Sequence, residues 1–357
     1  MNFSAVHQFS LCMSSGDGIS NSVFFIQTLL RELGYKSDIY AVDTEEVLRD
    51  RVVNQHQYES VENQLLLVHH GLGHEYGSWL ESLSNQKVLV YHNISPPEYF
   101  SSEIFQSSLR LGKQQLFLWK EFMSGAISDS AFNNQDLIEA GWDPRCLETI
   151  PLLFDVECLK KHPFDQVIID ENKDKTTLLF VGTFLPHKAQ DDLIKSFYYL
   201  AQLVDEPVQL ILAGGDYDSR IKELKQLSSD LGLDGSVLFL GKITDEELYG
   251  WYRAADLYVS MSEHEGFGMP LIEASAFDVP VLAYDTSAVA DTMGTGGILF
   301  KDKKMPEIGA LMDLLLKDVS LRKKIIKAQR KNLDRFNRDL LKEKLSRFIL
   351  ACSERSA

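Results

Sequence analysis

Two glutamates frame the part of this chain richest in chemistry, the segment E-H-E-G-F-G-M-P-L-I-E-A at 263–274, which follows the strand-like run D-L-Y-V-S-M-S. Gly266 and Gly268 let backbone N–H groups come close to a ligand. Pro270 suits the first position of a helix, where its missing N–H is not needed. A helix is therefore expected from about Pro270, and its N-terminus offers free N–H groups and partial positive charge, an arrangement suited to phosphate. Glu273 is expected in the first turn of that helix and Glu265 just ahead of the loop. Carboxylates accept hydrogen bonds from paired hydroxyls, so two of them flanking a phosphate site suggest a sugar on each side of the phosphates. A nucleotide-sugar has that layout. The structural alternative is a Gly-rich turn in which Glu273 merely complements the helix dipole.

Such loops need a scaffold, and the rest of the chain supplies one. Short apolar, β-branched runs alternate with amphipathic helical patterns, which predicts parallel sheets flanked by helices. One set of runs lies near 4–9, 37–42, 65–69, 87–91, 125–128 and 147–150, and a second near 176–182, 208–213, 236–240, 256–260, 280–283 and 297–300. Between the first two runs, Asn21 to Leu33 has helical spacing and Gly34 ends it. The fold class expected is α/β: two Rossmann-like, doubly wound parallel-sheet domains facing a cleft, at 1–165 and 166–335, with a further helix at 336–357 that returns to the first domain. The stretch 160–175 is charged and poorly periodic, the composition of a linker. In open parallel sheets, ligands bind beyond the carboxyl ends of the strands.

Composition narrows the partners. The chain has 357 residues, with 36 Lys and Arg against 52 Asp and Glu, a net charge of −16. No apolar run approaches the roughly 18 residues of a membrane span, and the first residues lack the pattern of a secretory signal. A cytoplasmic protein is expected. The four cysteines are widely spaced, which fits reduced thiols better than a disulfide or zinc framework. Residues 1–165 carry −11, residues 166–300 carry −13 and residues 301–357 carry +8. No basic face interleaved with aromatics supports nucleic acid as a ligand. The basic carboxyl-terminal stretch is expected to dock on the acidic first domain, with an anionic membrane surface as its competing partner.

The 263–274 segment resembles the E-x7-E signature of retaining GT-B glycosyltransferases of the GT4 family. V-G-T-F-L-P-H-K-A-Q-D-D-L-I-K-S-F at 181–197, L-I-L-A-G-G at 210–215 and V-L-F-L-G-K-I-T-D-E-E-L-Y-G-W-Y-R-A-A-D at 237–256 are similar to other family segments, in the family's order. Likeness in the first half is looser, through the Gly-rich turn at 16–18, Y-H-N-I-S-P-P-E-Y-F at 91–100 and I-S-D-S-A-F-N at 127–133. The resemblance implies an acceptor-binding first domain and a nucleotide-sugar-binding second domain. It implies transfer of a hexose-type sugar from a UDP- or GDP-sugar to a saccharide or lipid-linked saccharide with retention, in assembly of bacterial surface polysaccharide or lipopolysaccharide. Neither metal nor cofactor is expected, and a peripheral contact with the inner face of the membrane accompanies this reading. Lys188 would bind the donor diphosphate and Glu273 the ribose hydroxyls. Glu265, with the N–H groups of Phe267 and Gly268 beside Gly266, would hold the transferred sugar. Ile243 would lie near the base, His92 would approach the sugar from the first domain, and Gly16 and Gly18 would touch diphosphate or acceptor. Catalytic roles thus fall to Glu265, His92 and Lys188. The family's arginine is Thr183 here, with His187 as the replacement to test; its glycine after the lysine is Ala189, and its Pro-Glu pair reads Ala290-Asp291.

Other signals compete less well. Gly16, Gly18 and Asn21 approach the G-x-G-x-x-G fingerprint, with Asp43 ending the second strand, so an NAD(P)-dependent oxidoreductase is the alternative enzyme. The turn also reads as a structural one capped by Ser20. A non-catalytic nucleotide-sugar binder is the alternative without chemistry. Asp216-Tyr217-Asp218 reads as a capping loop rather than a D-x-D metal motif. His69, His70 and His74, interrupted by Gly71 and Gly73, read as a cleft-facing loop touching the acceptor rather than a metal site. Leu109 to Phe122 is amphipathic, with Phe117 and Trp119 near Lys113 and Lys120; a core-facing helix and a membrane contact both fit.

Overall fold

The computed structural model describes residues 3–151, 154–217 and 219–355. The chain forms two compact units, Met1–Asp155 with Phe336–Ala357, and Val156–Arg335. The first unit is built on a parallel sheet of β1 (Ala5–Met13), β2 (Ile39–Thr44), β3 (Val53–Asn54), β4 (Gln64–His70), β5 (Gln86–Tyr91), β6 (Ala126–Ser128) and β7 (Leu147–Thr149), in the order β3-β2-β1-β4-β5-β6-β7. The second contains β8 (Thr176–Val181), β9 (Val208–Ala213), β10 (Val237–Gly241), β11 (Leu257–Ser260), β12 (Val281–Tyr284) and β13 (Ile298–Phe300), in the order β10-β9-β8-β11-β12-β13. Both are doubly wound sheets of the Rossmann type, with strand order reversing between β1 and β4 and between β8 and β11. Central strands covered on both faces read as continuous apolar runs. Leu65 to Val68 and Leu210 to Leu212 are completely buried.

Residues 156–165 lie with the second unit, so its start precedes the expected position 166. The stretch expected as a linker holds the helix Gln166–Asn172, capped by Asp165. Ile168 packs against Gly250, and the Asp165 N–H donates to the Glu246 carbonyl at 3.0 Å. A helix this short leaves too few turns for periodicity to show.

Helix Arg338–Glu354 belongs to the first unit, where Leu341, Leu345, Phe348, Ile349 and Cys352 share a core with Val6, Ile26, Leu29, Leu65 and Leu67. Arg338 pairs with Glu32 and Asp155 at its start. Most of the positive charge beyond 301 stays in the second unit, on the helices Met305–Lys317 and Val319–Leu333. Apolar burial, with two ion-paired basic residues at the rim, is therefore what seats the last helix.

Helix Gly18–Glu32 is capped by Asp17, whose carboxylate accepts the Ser20 N–H, so the cap is not Ser20 itself. The loop after β4 lies directly on helix Glu103–Trp119: the Gly73 N–H donates to the Ser108 carbonyl at 3.1 Å, and a Cβ at Gly73 would sit 2.2 Å from the Gly112 nitrogen. That helix buries Leu109, Leu116 and Trp119 and exposes Ile104, Leu111, Phe117 and Leu118. The amphipathic pattern thus covers a core on one side and leaves an apolar stripe on the other.

Leu345 is fully buried against the first sheet. Leu345→Ala is expected to lower the unfolding free energy by about 2–5 kcal/mol in urea denaturation, whereas Lys344→Ala should stay within about 0.5 kcal/mol. Equal effects of the two would show that the last helix does not hold this core.

Candidate active site

The second sheet reverses its strand order between β8 and β11, and the loops leaving these neighbours carry the residues singled out from sequence. Lys188 ends the turn Pro186–Lys188 after β8, and Glu265 lies in the loop after β11. Their side chains meet, Lys188 Nζ to Glu265 Oε1 at 2.7 Å, with 19% and 14% of each exposed. Burial alone would raise the Glu265 carboxyl, but the Lys188 charge and hydrogen bonds from Lys188 and Ser262 outweigh it and hold the group below its ordinary range. The carboxyl is therefore held ionised. The Glu265 backbone is held as well: its N–H donates to the Ser287 hydroxyl at 2.8 Å and its carbonyl accepts from the Ala288 N–H.

Helix Met269–Ala276 begins one residue before the expected Pro270, which takes the second position. Gly268 is its N-cap at φ +88, a left-handed conformation, and a Cβ there would lie 2.8 Å from Leu271 Cδ1. No side chain caps this end, the kind of helix terminus that suits an anion. Phe267 is buried and its carbonyl accepts from the Thr292 hydroxyl at 2.6 Å, anchoring the loop. Glycine 266 does not take a left-handed φ.

Glu273 falls in the second turn of this helix rather than the first. The Tyr252 hydroxyl donates to its Oε2 at 2.7 Å, and burial pushes the carboxyl up to about 7. Tyr258 feels both glutamates: burial first, then Glu265 and Glu273, drive its phenol well above its ordinary value. Both carboxylates thus act on one buried tyrosine, which donates to the Val181 carbonyl of β8. Tyr252, Tyr258, Ser262 and Ser287 were not legible as site residues, because a buried aromatic or a loop serine has no local mark of its partner.

His187 is buried and pushed down to about 3, by burial and then by Lys188, so it is neutral and does not replace the family's arginine as a cation. Thr183 is half-buried and its carbonyl accepts from Gln190. Ile243, in the loop after β10, packs at the edge of a core containing Trp251 and Tyr252. Asp291 forms an ion pair with Arg335 at 3.4 Å.

In the first unit, His92 follows β5 with its side chain 2% exposed. Nδ1 lies 2.8 Å from Asp129 Oδ2 and Nε2 lies 2.8 Å from His69 Nδ1. Both ring nitrogens are committed to protein, contrary to a ring poised toward a sugar. Gly16 has φ +72 and Gly18 opens the helix. Between them the Asp17 carboxylate caps the helix, and Glu45 accepts the Ser15 N–H at 2.6 Å. Two carboxylates at this turn oppose a diphosphate, which argues against both a dinucleotide site and a diphosphate contact at Gly16 and Gly18. His69 and His70 end β4, and with His74 they are buried rather than displayed on an open loop. Burial pushes His70 down to about 3 and His74 to about 4. Asp216 accepts the Ile221 N–H at 3.1 Å as a capping residue, while Asp218 lies outside the described residues. Among the described residues no group of three His, Cys, Asp or Glu is arranged around a metal position.

Residues 162–332 match the family model of glycosyl transferases group 1. The chain carries a glycosyl transferases group 1 domain. Among its relatives, a D-inositol 3-phosphate glycosyltransferase from Frankia alni is 29% identical over 60% of this chain and 55% of its own length. The O-antigen chain mannosyltransferase B of Escherichia coli is 30% identical over 40% of this chain and 38% of its own. The matches span about a quarter to just over half of the curated relatives' length. The solved structure of Anabaena HepE in complex with UDP-glucose superimposes with a TM-score of 0.74, at 19% identity, over 97% of this chain and 99% of that one. The fold is GT-B. Lys188, Glu265, Gly268 and Glu273 all lie inside the group 1 domain.

Glu273 links this domain's stability to pH. Its carboxyl is pushed up to about 7 in the folded protein. From about pH 4.5 to about 7, the native state keeps a proton that the unfolded chain has released. Stability from this group is therefore full below its unfolded pKa and lost as pH rises through about 7. Glu273→Gln is expected to be the more stable protein at pH 8, by about 3 kcal/mol at most, and to converge with the parent near pH 4.5. A difference in denaturant midpoint that does not change with pH would contradict this.

Proposed function

We infer that the chain is a glycosyltransferase that moves a hexose-type sugar from a nucleotide-sugar to a hydroxyl of a saccharide or lipid-linked saccharide, with retention and without metal. One observation carries this reading: at the switch point of the second sheet, the buried Lys188–Glu265 pair stands beside an uncapped helix N-terminus, with Glu273 one turn further along. The ammonium and the helix N–H groups suit a diphosphate, and the two carboxylates suit hydroxyls on either side of it. UDP-glucose in the HepE structure and the transferase names of the relatives support the same donor class.

In this reading the donor diphosphate draws Lys188 away from Glu265, which frees that carboxylate for hydroxyls of the transferred sugar. Glu273 takes the ribose hydroxyls, oriented by Tyr252. The bond from C1 to the diphosphate oxygen breaks through an oxocarbenium-like state while the acceptor oxygen attacks from the same face. The acceptor's proton passes to the departing phosphate oxygen, so no protein acid is required. Lys188 and the helix end stabilise the charge that grows on the leaving group. Gly16 and Gly18, beside the acidic Asp17 and Glu45, fit acceptor hydroxyls better than phosphate. The O-antigen mannosyltransferase among the relatives supports surface polysaccharide assembly as the context, with the protein in the cytoplasm. The exposed Ile104, Leu111, Phe117 and Leu118 support a peripheral membrane contact there.

Thermal-shift measurements with UDP-, GDP- and ADP-sugars identify the donor, since a selective ligand raises stability by mass action. With that donor, Lys188→Ala and Glu265→Ala are each expected to lower turnover about 10²-fold or more, and chelator should leave turnover unchanged. Near-normal activity in both variants would overturn the site.

A further inference from the structure

Four loops of the second unit meet at Glu263, two places before Glu265. The Glu263 N–H donates at 2.7 Å to the carbonyl of His187, the neighbour of Lys188, and the Glu263 carbonyl accepts at 2.9 Å from the Thr286 hydroxyl, after β12. Its side chain reaches the loop after β13, where Lys303 Nζ lies 2.9 Å from Glu263 Oε1 and 3.1 Å from Asp192 Oδ2. Asp192 stands in the first turn of helix Gln190–Ala201, which follows Lys188 almost at once. Lys303 thus spans from the element behind Lys188 to the loop that carries Glu265. It is built in rather than displayed: 15% of its side chain and 18% of that of Asp192 are exposed, and Nζ lies 4.9 Å above the Tyr284 ring. The Glu263 side chain is more open, at 45%, so this leg adds little to overall stability. What it fixes is a distance.

The need for such a brace comes from the site itself. In the free protein, Lys188 and Glu265 already hold the same two loops together. In the function proposed above, on which this step rests, the donor diphosphate draws Lys188 off Glu265, and that tie is lost as the sugar must be positioned. None of the contacts at Glu263 uses Lys188 Nζ or the Glu265 carboxylate, so they survive the exchange. We propose that Lys303, by joining Asp192 to Glu263, is the positioning residue that keeps the loops after β8 and β11 at their spacing once Lys188 has left Glu265. It acts through the loops and needs no contact with the donor.

Hydrogen–deuterium exchange of the full chain over 261–268, a segment that contains the Glu263 N–H, tests the brace without any ligand. Lys188→Met together with Glu265→Gln removes the inner pair and strands no buried charge. In that background Lys303→Met is expected to speed exchange over 261–268 about 10-fold or more, with β9 unchanged, while Lys303→Arg keeps it slow. With the inner pair intact, Lys303→Met should speed the same segment less, by about 3-fold, and this comparison decides if the triple variant does not fold. Unchanged exchange over 261–268 would overturn the proposal. So would equal acceleration in β9, the mark of a general loss of stability. A second arm reads the donor site by calorimetry with UDP-glucose and GDP-mannose: whichever binds the parent should bind Lys303→Met about 10-fold more weakly, and Lys303→Arg should recover most of the loss. Equally tight binding to Lys303→Met and the parent would also overturn the proposal. Binding of neither to the parent would count against the proposed function instead, with the exchange result still deciding the brace.

Discussion

A lysine and a glutamate that can be buried only together organise the second unit. Lys188 and Glu265 each expose less than a fifth of their side chains, and either one left without its partner would be an uncompensated charge away from water. The pair therefore fixes the loops after β8 and β11 against each other at the point where strand order reverses. Ser262, Ser287 and the Ala288 N–H hold Glu265 in place, and the Gly268 turn then aims an uncapped helix end at the same space. An ion pair of this kind is a modest source of stability and a good reserve for binding, because an incoming anion offers the lysine a new partner while sugar hydroxyls offer the carboxylate one.

The same site holds a second unfavourable element. Glu273 is buried beside Tyr252 with its carboxyl pushed up to about 7, so the free protein bears a group that water would ionise more readily. A carboxamide would be easier to bury. On the proposed function, retaining a carboxylate there trades stability for a pair of strong acceptors for the ligand. The first unit handles its buried polar groups differently, linking Asp129, His92, His69 and Gln8 into one hydrogen-bonded chain that leaves Asp129 Oδ1 without a partner among the described residues.

Features carried by short local patterns were legible in the sequence. The strands, the Gly34 stop, the turn at Gly268 and the helix behind it all follow from residue types within a few positions of one another. The misses share a physical cause, which is dependence on distant partners. H-H-G-L-G-H looks like an open loop, yet β4 runs through His70, the His69 and His70 rings hydrogen-bond with Gln8 and Gly112, and the His74 backbone N–H donates to Gln115, all from elsewhere in the unit. His187 resembled a spare cation until burial removed its charge. The positive charge beyond residue 301 suggested electrostatic docking, whereas Leu341, Leu345 and Phe348 show that an apolar face decides where the last helix lies. Helix Gln166–Asn172 was hidden because seven residues display no period.

The account stands on Lys188 exchanging Glu265 for the donor's phosphates. A crystal structure of the full chain with a non-transferable phosphonate analogue of the donor sugar nucleotide tests this directly. It should show the Lys188 ammonium within hydrogen-bond distance of the diphosphate, the phosphates against the N-terminus of Met269–Ala276, Glu265 on sugar hydroxyls and Glu273 on the ribose. A nucleotide bound elsewhere, with the Lys188–Glu265 pair still closed, would contradict it.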